Sequence, residues 1–367
     1  LGGCLELQSD LSGTTVTVSL SVARNNRMAA LELSGTDTGS TPEDLVGAGA
    51  TGGLLGAAAV AGETEATAAG ACFPSRCTPN TALQTEQRAR TAPELLRRAR
   101  ARMATHRFAD ALADFDAAGA TPAQRAALLI ATGGAAEALP ALEAEVARQP
   151  NFSTRCALAR GLAAVGRLEE ADRLYAQALR ELDTTSPFPA AAVAFGRGLM
   201  WAEQAGDSAR GAAFYAEALR LLPDYAAAGI HRAEIDLAQG DEAGAEARLL
   251  HVVIYTDEPE ALAMLGELHL RRGEVERGLD EINGARRRYE ALLARHPEAF
   301  ADHAAEFYLG AGRDPQRAWV WAQANLRERP TRRAFQLAIR AADATGRSEE
   351  AQALRTRMDR RHPARAA

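Results

Sequence analysis

Few residues of this 367-residue chain stand at spacings that do chemistry. The seven histidines, His106, His231, His251, His269, His296, His303 and His362, never pair at i, i+4. That leaves no helical metal site of the HExxH kind. His231 and His269 fall at similar places in successive helical stretches, which brings them within possible reach of each other. The plainer reading of all seven is satisfied or solvated histidine rather than a ligand or pH sensor. The run around Gly47-Ala48-Gly49 is glycine-rich but has no following lysine, so it cannot cradle a phosphate as a phosphate loop does. No dinucleotide fingerprint and no G-x-S-x-G elbow occurs. Residues 1–90 contain no histidine and few acids, so an enzyme sited there is the weakest of three functional readings. No cofactor and no metal is expected.

The four cysteines, Cys4, Cys72, Cys77 and Cys156, lack the CxxC and Cys/His spacings of zinc sites. Cys156 reads as a small buried apolar residue in a helix. Cys72 and Cys77 bracket Phe-Pro-Ser-Arg and would close a local disulfide in an oxidising compartment. Leu1-Gly2-Gly3-Cys4 resembles the lipobox of bacterial lipoproteins, which makes Cys4 a candidate for lipidation. The competing reading is an arbitrary starting point, because the charged and apolar segments of a signal peptide do not precede it. A periplasmic or cell-surface location follows from the first reading, a cytoplasmic one from the second.

These residues must be positioned by three kinds of segment. Residues 1–35 read as β: Thr15 to Val22 alternates strictly, Arg24-Asn25-Asn26-Arg27 suits a turn, and Met28 to Leu33 supplies a return strand. Such a hairpin needs something to pack on. Residues 36–91 form an arm or linker rich in Gly, Ala, Ser and Thr. Within it, Leu45 to Gly62 is uncharged and long enough to span a membrane. Its glycines make it a poor helix, so a linker is the first expectation and membrane contact the second.

Residues 92–367 are dominated by helix formers, and a repeat runs through them. Glycines recur at Gly133, Gly166, Gly206, Gly240, Gly273, Gly312 and Gly346, at spacings of 33, 40, 34, 33, 39 and 34. Each ends an amphipathic stretch. A small residue follows five or six positions later and an apolar one four positions after that. The glycine terminates a helix in a left-handed turn. The small residue lets two helices cross closely, and proline starts the next helix. The chain is therefore all-α beyond the arm, a stack of helical hairpins. Inserts are expected near Asp183–Pro189 and Arg286–Pro297. Pro140 should kink its helix, and Asp314-Pro315 should lengthen a turn by one residue.

Gly206-Asp207, Gly211, Tyr215, Ala218 and Pro223 resemble the second half of a tetratricopeptide (TPR) repeat. Leu265-Gly266, Gly273 and Ala285 resemble its first half and continuation. Gly166-Arg167-Leu168-Glu169-Glu170-Ala171 with Tyr175 and Ala178, and Gly346 to Ala351, fit the same pattern. In the first unit Phe108, Ala111, Phe115 and Ala118 fit, but His106 replaces the glycine. The resemblance covers about eight units. It implies a solenoid whose first helices line a concave face that binds a protein or peptide. Register puts Arg160, Arg197, Glu203, Gln204, His231, Glu234, Glu267 and Arg271 at or near that face. The family's carboxylate clamp needs lysines and asparagines. This chain has no lysine, and the corresponding positions are Ala, Gly, Met and Glu, so that function is rejected.

All 42 basic residues are arginine, which reads as a GC-rich bacterial origin. A net charge of −6 argues against a nucleic-acid partner. Arg286-Arg287-Arg288 and the terminal Arg355, Arg357, Arg360, Arg361 and Arg365 read as solvated faces before they read as contacts to acidic partners. The leading functional expectation is a non-catalytic scaffold or adaptor that organises a protein assembly. The second is a structural subunit of a larger surface complex, with the N-terminal arm ordered by its neighbours. Oligomeric state is not given by the sequence.

Overall fold

The computed structural model describes residues 91–362, together with the backbone of five short strands between residues 5 and 33. Cys4, Cys72, Cys77, the Leu45–Gly62 run and Arg365 lie outside the described residues. The strand-bearing and helical parts are separate bodies. In the first, β1 (Leu5–Ser9), β2 (Val16–Leu20) and β5 (Glu32–Leu33) form an antiparallel sheet in the order β1-β2-β5. β3 (Val22–Arg24) and β4 (Arg27–Ala29) form a hairpin in which Arg24 faces Arg27 across Asn25-Asn26. The expected return strand is thus divided. Its start pairs locally with β3, and its end joins β2, with Val18 opposite Leu33.

The helical body is eight antiparallel hairpins. In chain order they are α1 (Ala92–Ala104) with α2 (Phe108–Ala117), α3 (Pro122–Ala131) with α4 (Ala135–Arg148), α5 (Phe152–Ala164) with α6 (Leu168–Arg180), and α7 (Phe188–Leu199) with α8 (Ser208–Leu221). There follow α9 (Ala226–Ala238) with α10 (Glu242–Tyr255), α11 (Pro259–Arg271) with α12 (Val275–Arg295), α13 (Pro297–Leu309) with α14 (Pro315–Glu328), and α15 (Arg332–Ala344) with α16 (Ser348–Arg361). A π-helical turn, Met200–Gln204, extends α7. Together with the loop before α7 it accounts for one long repeat spacing. The other lengthens α12 to 21 residues. α4 continues as a helix through Pro140.

The hairpin turns share one geometry. Gly133, Gly166, Gly206, Gly240, Gly273 and Gly346 all have positive φ. Typically the next amide closes back on the first helix, as in Arg167 N to Leu162 O at 2.8 Å and Asp241 N to Asp236 O at 2.8 Å. His106 takes the same left-handed conformation at φ 56°. The seventh turn departs from the expectation. It runs over five residues, 310–314, rather than one more than the usual three, and Arg313 at φ 47°, not Gly312, is left-handed. Gly312 N closes on Phe307 O at 2.7 Å and Asp314 N on Tyr308 O at 2.9 Å, so the register of closure moves by one residue.

Five or six residues beyond each turn sit the small residues that let the helices touch. Ala111, Ala138, Ala171, Ala245, Ala318 and Ala351 are all essentially inaccessible. Gly278 takes the same place in α12, where a Cβ would stand 2.7 Å from Gly266 O. The larger residue four positions on, such as Phe115, Tyr175, Tyr215 or Leu249, fills the seam to the next hairpin. This close stacking is continuous across the repeats, so each hairpin buries its apolar faces against its neighbours.

Gly196 and Gly198 on α7 test the packing account. A Cβ at Gly198 would come within 2.5 Å of Tyr215 Cδ1, whereas one at Gly196 meets only Tyr175 Oη at 3.9 Å. Gly198→Ala should lower unfolding stability by about 1–3 kcal/mol through overpacking. Gly196→Ala should raise it by up to about 1 kcal/mol through helix propensity. Denaturant unfolding of both variants reads the sign.

Candidate functional site: the interior of the superhelix

The solenoid winds back on itself. The turn of the first hairpin reaches the start of α13, where His106 Nδ1 lies 3.2 Å from Glu298 O. Burial, followed by the nearby Arg329 charge, pushes the His106 imidazole down to about 4, so it is neutral and its Nδ1–H donates to that carbonyl. In the second hairpin turn, a Cβ on Gly133 would stand 2.8 Å from Pro330 O. The same carbonyl accepts from His362 Nε2 at 2.8 Å, and Arg361 reaches Thr132 O at 3.5 Å. The turns of the first two units therefore touch the loops entering the last two.

Closure concentrates charge in the interior, which the odd-numbered helices line. Glu203 of the π turn pairs with Arg333 of α15 at 2.8 Å, across 130 residues of chain. Arg333 and Arg340 each reach Glu306 of α13 at 3.4 Å. His231 of α9 contacts Glu234 at 2.9 Å and Glu203 at 3.5 Å. His303 faces Glu260 of α11 at 3.5 Å, and Arg329 holds Asp302 at 3.1 Å. Beside these groups a small cavity of about 60 Å³ opens between Phe195, Ile230, His231, Glu258, Tyr289, Phe300 and His303, among others. Tyr215, 1% exposed, stacks on His231 with its hydroxyl unpartnered.

These surroundings set the protonation states. Burial would depress the His303 imidazole, but Asp302, Glu260 and Glu306 outweigh it and hold it up at about 10. Asp302 is driven the other way, to about 2: burial alone would raise it, but the charges of His303 and Arg329 dominate. Burial, with Glu260 and Asp257 alongside, raises the Glu258 carboxyl to about 7 against the opposing pull of His303 and Arg288. The His231 imidazole rises despite burial, through its bond to Glu234.

Among the sequence candidates, Glu203, His231 and Glu234 come together in this network. Gln204 is exposed beside Glu203. Arg197 points elsewhere: it makes two bonds to Asp172, at 2.8 and 2.9 Å, and lies over the Phe214 ring in the seam between α6, α7 and α8. Arg160 is half-buried on α5 and close enough to Cys156 and Tyr175 to act on their charge. Glu267 approaches Gly310, and Arg271 is exposed at the end of α11. His231 and His269 do not meet as partners. His269, fully buried, binds Glu281 at 2.5 Å and Glu246 at 3.2 Å. Glu258, Glu260, Asp302, His303, Glu306, Arg333 and Arg340 were missed. Their common signal is position on α11, α13 and α15, the first helices of later units, or, for Glu258, at the cap of α11.

Among the described residues, no group of three or more His, Cys, Asp or Glu side chains is arranged to hold a metal ion. No described helix is long and apolar enough to cross a membrane. Eight hairpins with left-handed turns and small crossing residues settle the architecture. The chain is a tetratricopeptide-repeat-like solenoid. No protein-family model and no curated protein matches it. Similar solved structures include a chain of the APC/C hetero-tetramer Cut9–Hcn1, at 13% identity and TM-score 0.43 over 82% of this chain. The solenoid spans 60% of that chain's length. A tetratricopeptide repeat protein of Parabacteroides merdae matches at 17% identity and TM-score 0.39, over 65% of this chain and 91% of its own. The Thermus thermophilus TPR protein TTC0263 matches at 19% identity and TM-score 0.37, over 56% and 97%. At such identities and scores these likenesses say nothing of partner or activity.

The interior charges give the solenoid a pH signature. An acid raised in the fold contributes stability below its ordinary value of 4.5 and loses it as pH climbs through about 7. His303, raised to about 10, contributes fully below 6.5 and loses its contribution as pH rises through 10. Asp302 contributes above 3.8 and loses its share as pH falls towards 2. Thermal midpoints of the wild-type chain should fall between pH 5.5 and pH 8.5. In Glu258→Gln the fall should be smaller, with the variant the more stable at pH 8.5. Equal slopes would contradict the assignment for Glu258.

Proposed function

We propose that the solenoid is a non-catalytic protein-interaction scaffold whose interior takes an extended segment of a partner polypeptide. The carrying observation is the interior itself. Arg340, 62% exposed, reaches Glu306 at the long distance of 3.4 Å, and Arg333, 57% exposed, shares that carboxylate while pairing with Glu203 at 2.8 Å. Ion pairs this exposed are cheap to exchange for contacts to a ligand. In the same interior the buried aromatic side chains Phe195, Tyr289 and Phe300 present ring surface to a small cavity. A polypeptide in extended form matches such a lining, since its backbone and alternating side chains present both polar and apolar contacts.

In the same reading the N-terminal strands dock the scaffold by adding to a partner's sheet, and Cys4 anchors it as a bacterial lipoprotein. A protein assembly at the periplasmic or outer surface would be the thing organised. The acidic net charge of −6 supports a protein rather than a nucleic-acid partner.

Panning a random dodecapeptide library on the immobilised chain should enrich a consensus. The Arg333→Ala/Arg340→Ala double variant should lose it. Equal enrichment on both, or no consensus on the wild type, would contradict an interior binding surface.

A further inference from the structure

Within that binding reading, we propose that the cavity beside His231 is a receptor for one cationic side chain, a lysine or arginine of the partner polypeptide. Its walls are the aromatic rings of Phe195, Tyr289 and Phe300 with Ile230, and its polar groups are Glu258, Glu260, His231 and His303. The four polar groups are not equally satisfied. Glu260 faces His303 at 3.5 Å, and His231 is held by Glu234 and Glu203. Among the described residues the Glu258 carboxyl accepts no hydrogen bond; its backbone amide donates to Thr256 Oγ1, and the residue caps the start of α11. Its carboxyl stands at the cavity with no donor.

The occupant follows by elimination. An anion would meet the unpartnered Glu258 carboxyl, since Glu260, His303 and His231 are already paired with groups of the fold. An apolar side chain would fit the aromatic walls but leave the Glu258 carboxyl buried without a partner, which burial makes unfavourable. An ammonium or guanidinium group satisfies both halves of the site. It pairs with Glu258, and it is drawn to the faces of aromatic rings. A volume of about 60 Å³ suits the charged end of one such side chain with its adjoining methylenes, and not a larger group. His303 does not oppose this, since Asp302, Glu260 and Glu306 already surround its charge. The chain contains no lysine of its own, so a lysine reaching the cavity comes from outside.

The cavity can be probed without knowing the partner. Nα-acetyl-lysine N-methylamide, its arginine counterpart and its norleucine counterpart would each be titrated into the full chain, following the imidazole resonances of His231 and His303 by NMR. Both cationic compounds should move these resonances saturably, with norleucine at least tenfold weaker. Glu258→Gln, which should fold at least as well as the wild type by thermal midpoint, should weaken the cationic compounds at least tenfold. Norleucine binding as well as lysine, or a folded Glu258→Gln variant that binds lysine unchanged, would overturn the cationic pocket. A free diamine such as putrescine binding tenfold more tightly than both amino-acid compounds would overturn the side-chain occupant. Model compounds that bind although library panning finds no consensus would leave the pocket standing and overturn the polypeptide reading alone. An enriched consensus without basic residues would do the reverse.

Discussion

The contact between the second hairpin turn and the loop entering α15 sets the character of this molecule. Gly133 lies so close to Pro330 O that a methyl group would stand 2.8 Å from it, and His362 donates to the same carbonyl. Because the first units touch the last, the first helices face one another across a narrow interior instead of lining an open groove. The Glu203–Arg333 pair exists only on that condition, and so does the electrostatic coupling of His106 to Asp302 and Arg329.

Closure in turn depends on how closely the hairpins stack. Alanine and glycine at the crossing positions shorten the distance between helices, and the left-handed turn residues keep each connection to a few residues. His106 shows the two requirements meeting in one place. It accepts a backbone conformation that ordinarily favours glycine. In return it supplies a ring that stacks on Phe108 and a nitrogen that reaches Glu298. A glycine there would fit the turn but could make neither contact.

Much of this could be read in the sequence, because it is local. The turn glycines, the crossing alanines and the long residues between hairpins repeat at fixed offsets, and each owes its type to neighbours within one unit. The place of His106 in the turn register was legible for the same reason, though its left-handed backbone was not. What escaped was everything set by the pitch of the superhelix. His106 and Glu298 are 192 residues apart, and no periodicity of one unit encodes their meeting. The interior residues of α11, α13 and α15 were missed on that account. Arg197 misled in the opposite sense: its register is right for a concave face, but Asp172 and Phe214 draw it into a seam. The left-handed Arg313 hid behind Gly312, which carries the glycine signature without the conformation.

Closure is the central claim, and a distance across the contact tests it most directly. Spin labels would be placed at Ala109 and Ala294, both exposed and beside the His106–Glu298 contact, with Cys4, Cys72 and Cys77 replaced by serine. Buried Cys156, its thiol pushed up to about 12 by burial, would stay unlabelled. Pulsed electron–electron dipolar spectroscopy should return one narrow distribution at short separation, unchanged between low and high salt, because the contact rests on carbonyl hydrogen bonds and packing. A broad distribution at long separation, as an open superhelix would give, would contradict it.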